Sequence, residues 1–142
     1  MGHDRRIARV AVALLLALVL ALSGCAAREA SGARVLVDGR AFEGGSVEPG
    51  AGEGLRVYVT LDGEPLLDLP FGSPHTVRVI QDGLGENTVA VTEDSVFMDH
   101  ADCENQDCVN MGAVTRDNLE LRVMGGFIVC LPHRLSVEVR SP

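Results

Sequence analysis

The chain has 142 residues with no lysine, 12 arginines against 20 acidic side chains, and a formal net charge of −8. That balance excludes a phosphate-backbone surface, which depends on cationic neutralisation, so no nucleic-acid partner is expected. Aromatic residues make up only 4%, which argues against reading the many carboxylates as a glycosidase pair in a sugar cleft.

Residues 1–24 carry the three parts of a secretory signal: a basic start with Arg5, Arg6 and Arg9, an apolar run over 10–22, and small residues Ser23 and Gly24. A spanning helix needs about 20 apolar residues, and this run is shorter. Leu22-Ser23-Gly24-Cys25 resembles the lipobox of bacterial lipoproteins. The resemblance implies that Cys25 is acylated and becomes the new amino terminus, with membrane lipid as one partner. The expected location is therefore the extracytoplasmic face of the cell membrane. Each buried methylene contributes about 0.8 kcal/mol, so two or more acyl chains hold stably where one holds marginally. Processing leaves 118 residues with a net charge of −10, the size of one modest domain.

Residues 25–54 read as a tether rich in Gly, Glu and small residues, unable to bury much apolar area. Within it, Arg34-Val35-Leu36-Val37, Asp38-Gly39 and Ala41-Phe42 suggest a short hairpin. From residue 55 to 142 the period is two. Leu55, Val57, Val59 and Leu61 alternate with Arg56, Tyr58 and Thr60, and Asp62-Gly63 turns the chain into a second strand. HTVRVIQ, NTVAVTE and SVFMDH predict three more strands, and residues 119–124, 127–131 and 135–139 the last three, the first two joined by a tight Gly125-Gly126 turn. Short strands with Gly-rich turns predict an all-β fold, a small barrel or sandwich of antiparallel strands. Residues 101–112 break the pattern and predict a functional loop or a single helical turn.

NTVAV, ADCENQDCVNMG and IVCLPHRLSVEV together resemble the second domain of NusG as it occurs alone in small secreted or membrane-anchored bacterial proteins. The similarity covers roughly residues 55–140. It implies a compact all-β module and not transcription, because the polymerase-engaging domains of NusG have no counterpart here. Between Gly112 and Ile128 the chain departs from that pattern with the longer segment TRDNLELRVMGG.

Cys103, Cys108 and Cys130 are the reactive side chains of this region. Outside the cytoplasm cysteines tend to be oxidised or metal-bound, and three cannot all pair within one molecule. One reading is a Cys103–Cys108 disulfide with Cys130 buried on its strand, a short closure contributing no more than about 2 kcal/mol. Pairing of Cys130 with either loop cysteine is a variant, since alternation places it on one face with Ile128. A second reading joins the three thiolates to His133 as a tetrahedral metal set. Cys130 and His133 also have the spacing of half a Rieske motif, but the other half would need a histidine at Asn110. A redox-active dithiol is a third, although the spacing is not Cys-x-x-Cys.

His133, after Pro132, is expected to tie a turn by hydrogen bonding rather than to ligate. His100 reads as a solvated loop histidine, and His75 has no visible partner. Asp99, Asp102, Glu104 and Asp107 lack the glycine and alternation of an EF-hand loop and read as a solvated acidic face. The serines stand in no GxSxG context and no phosphate loop precedes a helix. An enzyme is therefore not expected, nor a resident cofactor. The expectation is a lipid-anchored, non-catalytic binding or accessory module with a membrane protein partner. A thiol- or metal-based redox protein using Cys103, Cys108 and Cys130 is the alternative.

Overall fold

A computed structural model describes residues 32–46 and 54–142; the signal segment, Cys25 and part of the tether lie outside the described residues. Two sheets form the fold. One carries β1 (Ala33–Val37), β2 (Arg40–Phe42), β6 (His75–Gln81), β7 (Gly85–Val91), β8 (Ser95–Ala101) and β9 (Val114–Thr115), in the order β2-β1-β6-β7-β8-β9. The other carries β3 (Gly45–Ser46), β4 (Arg56–Leu61), β5 (Glu64–Pro70), β10 (Phe127–Cys130) and β11 (Leu135–Arg140), in the order β10-β11-β4-β5-β3. All pairings are antiparallel except the two-residue contact of β3 with β5. The sheets do not close into a barrel. The all-β reading therefore resolves to a sandwich.

Alternation builds the core. Val57, Val59 and Leu61 of β4, Leu67 and Leu69 of β5, and Val137 and Val139 of β11 turn inward from one sheet. Val77 and Val79 of β6, Val89 and Val91 of β7, and Val96 and Met98 of β8 complete one cluster from the other. Each such side chain taken out of water contributes about 1.5–3 kcal/mol. Arg56 breaks the alternation, being 7% exposed. Its guanidinium donates to the Asp68 carboxylate at 2.9 Å on the neighbouring strand, which makes the burial tolerable.

The hairpin expected at residues 34–42 is present, and it belongs to the sheet rather than to a free tether. Asp38 and Gly39 both have positive φ, 50° and 78°, the signature of a type I′ turn. β1 then pairs along its whole length with β6, and the described β module begins at Ala33 rather than near residue 55.

The strand expected at residues 119–124 is absent, and Gly125-Gly126 joins no hairpin; residues 116–126 form a run of turns before β10. Local polar groups explain the difference. Asn118 accepts from the Thr115 amide at 2.9 Å and donates to the Ala113 carbonyl at 3.0 Å. Arg122 donates to the carbonyls of Gly125, Met111 and Ala113. These bonds offer the backbone an alternative to a ladder.

Candidate functional site

Strict alternation along β8 would carry the inward face from Val96 and Met98 to His100 and Asp102. The register shifts instead. Thr88 pairs with His100 but Val89 pairs with Met98, so Asp99 is an extra residue on β8. Such a bulge re-aims the side chains beyond it. Ala101 and Cys103 consequently face the core, 1% and 5% exposed, while Asp99 and His100 face solvent.

The expected helical turn is α1 (Asp107–Asn110), and Cys108 is its buried residue. It packs against β8 and β10. Gln106, at φ 54°, turns the chain into it, and its amide group donates to the carbonyls of Ala101 and Cys103. Cys130 arrives on β10, where Ile128 and Cys130 are buried and Phe127 is exposed.

Three separate segments thus bring three thiols together. Their Sγ atoms all lie within 4.8 Å of one another, and Cys103 and Cys108 stand 3.8 Å apart. That is thiol contact, well beyond the S–S bond of about 2.05 Å; all three are free thiols. Burial, reinforced by the neighbouring Cys130 and Cys103 thiols, pushes the Cys108 thiol up to about 12. A cleft lined by Asn105, Asp107, Val129, Leu131 and Pro132 reaches Cys108 and Cys130 from outside.

His133 does not join this cluster. It is 3% exposed, on the turn between β10 and β11, and its Nδ1–H donates to Asn87 Oδ1 at 2.8 Å. Its Nε2 faces the Asp102 carboxylate at 3.4 Å, and its carbonyl accepts from Gln81 Nε2 at 2.9 Å. The four-ligand set of three cysteines and His133 is therefore not assembled. The hydrogen-bonding role expected for His133 is what the structure contains, and it clamps one sheet to the other.

Asp102 also accepts from the Glu86 amide at 2.8 Å, so it is committed to the fold rather than to a free acidic face. His75 does have a partner: Nδ1 bonds Asp38 at 2.8 Å. Asn87 and Gln81 escaped the sequence reading. The signal for Asn87 was its parity, an amide in phase with Val89 and Val91 on a core-facing strand.

The family model for NusG domain II matches residues 10–142. Among solved structures, a DUF1312 family protein from Ruminococcus gnavus is 31% identical, with 61% of this chain and 99% of that chain covered and a TM-score of 0.49. Lin0431 from Listeria innocua is 21% identical, with 61% and 95% covered and a TM-score of 0.52. A DUF1312 family protein from Enterococcus faecalis is 19% identical, with 61% and 97% covered and a TM-score of 0.53. The last two show the shared fold. No curated protein matches. With the family model spanning nearly the whole chain and the paired cysteines and Cys-Leu-Pro-His strand in place, this chain belongs to the NusG domain II family.

Proposed function

We propose that this protein is a lipid-anchored, extracytoplasmic and non-enzymatic module that binds a membrane protein partner. The supporting observation is the segment that departs from the resemblance. Leu121 and Val123 are 84% and 102% exposed, and Met124 and Phe127 stand beside them in sequence, also exposed. Apolar side chains concentrated in one exposed stretch cost solvation unless a partner covers them. Leu22-Ser23-Gly24-Cys25 supports the anchor. The partner's matching surface is apolar, on the outer face of the membrane.

Two measurements test this. Labelled palmitate is expected to enter the wild-type protein and not Cys25→Ser. A photoreactive side chain at position 123 is expected to give one adduct with a membrane protein, with none from position 82. Palmitate failing to enter, or equal adducts from both positions, would overturn the reading.

A second reading, thiol-based redox exchange, draws support from the proximity of the three Sγ atoms. The raised Cys108 thiol works against it as an attacking group, because the thiolate is the nucleophile. Oxidation by a small disulfide reagent tests it: the reading expects the free-thiol count to fall from three to one with a measurable potential. Three thiols persisting would exclude it.

A further inference from the structure

We propose that Cys103, Cys108 and Cys130 form a three-thiolate site for a thiophilic d10 metal ion, either zinc(II) with its fourth coordination position open to the cleft or three-coordinate copper(I). The inference goes beyond the binding role proposed above and does not depend on it.

Geometry carries it. With metal–sulfur bonds of about 2.3 Å, three thiolates on one ion stand about 3.8–4.0 Å apart. Cys103 and Cys108 are already at 3.8 Å, and all three sulfurs lie within 4.8 Å. Closing the triangle asks for shifts of less than an ångström. The three ligands also come from independent supports: the backbone beyond the β8 bulge, α1, and β10 with its pairing to β11. A site assembled from three separately packed segments is largely formed before the ion arrives.

Donor chemistry selects the ion. Thiolates are soft ligands, suited to zinc and copper(I) and poorly suited to calcium or magnesium. The acidic residues nearby do not compete for the role. Asp102 is held by the Glu86 amide, and Asp107 accepts from Asn105. The number of protein ligands is three, because Asn87 and Asp102 engage the two ring nitrogens of His133. Asp107, Leu131 and Pro132 line the approach to Cys108 and Cys130, which leaves a small ligand such as water to complete the shell of zinc(II). On binding, each metal–sulfur bond forms as the S–H proton passes to solvent, and no oxidation state changes.

The full chain carrying Cys25→Ser, fully reduced and free of reductant, is titrated with zinc(II) alone against a chromophoric chelator. A parallel anaerobic titration uses copper(I) alone. One ion per chain is expected for at least one metal, with protons released from the thiols into weakly buffered solution as it binds. Cys130→Ser is expected to weaken binding by more than about 100-fold, and His133→Asn by less than about threefold. Circular dichroism identifies any variant that fails to fold; the stoichiometry and proton release of the unmutated site then decide. The proposal is overturned if neither ion binds stoichiometrically, if folded Cys130→Ser binds unchanged, or if folded His133→Asn loses the metal.

Discussion

His133 Nδ1–H donates to Asn87 Oδ1 at 2.8 Å, and this single bond couples the β10–β11 turn of one sheet to β7 of the other. Both residues are buried, Asn87 fully. Removing one partner strands the other without solvent. Asn87→Ala is therefore expected to lower stability by about 1–3 kcal/mol. A double-mutant cycle with His133→Ala in urea unfolding should give a coupling above about 0.5 kcal/mol; additive effects would show that the clamp contributes nothing.

Cys108 links stability to alkaline pH. Its thiol is raised from 9.0 in the unfolded reference to about 12 in the fold. The folded state therefore holds its proton longer. The contribution is fully present below pH 9 and is lost as pH rises towards 12, at about 1.4 kcal/mol per pH unit at most. Urea midpoints of reduced protein should fall over that window, and Cys108→Ala should flatten the fall. The same thiol should react slowly with alkylating reagents at neutral pH until the protein unfolds.

Asp38 has the opposite sign. The Thr76 amide, followed by the His75 side chain, holds its carboxyl below 3.8. That contribution is present above pH 3.8 and disappears as pH falls through the lower folded value. Asp38→Asn keeps a residue tolerant of positive φ in the turn. Its acid unfolding, followed by circular dichroism, should be less steep below pH 4 than that of the wild type.

Gly126 sits where no side chain fits. A Cβ there would overlap the Val139 carbonyl oxygen and press on Leu119, and the Gly126 carbonyl accepts the Val139 amide at 2.9 Å. Gly126→Ala is expected to cost about 2 kcal/mol or more, since backbone rather than a flexible side chain must move. An unchanged melting temperature would contradict the close approach.

The exposed side chains of Leu121 and Val123 should be dispensable for folding. Leu121→Ser and Val123→Ser are expected to change stability by no more than about 0.5 kcal/mol. Val137→Ala, in the core, should cost several times that in the same thermal melts. A large loss at Val123 would mean that the segment packs internally.

The β strands were legible in the sequence because alternation is a local property. A residue's parity decides which face it takes, and Asp38-Gly39 and Asp62-Gly63 announce their turns by tolerating positive φ. The cysteine-bearing helical turn was visible for the same reason, as the place where alternation stops. Residues 119–124 misled because their apolar content resembles a strand, whereas Asn118 and Arg122 capture the backbone first.

Sequence alone determined the all-β strand pattern, the acidic surface and which cysteines carry the interest of the molecule. Tertiary structure decided where those side chains point. The extra residue at Asp99 reverses the parity of everything after it, which puts Cys103 inside. Asn87 and Asp102 claim His133 from across the sheets, leaving three thiols together without it. Parity is encoded residue by residue, but a bulge and a cross-sheet partner exist only once distant strands have chosen a register.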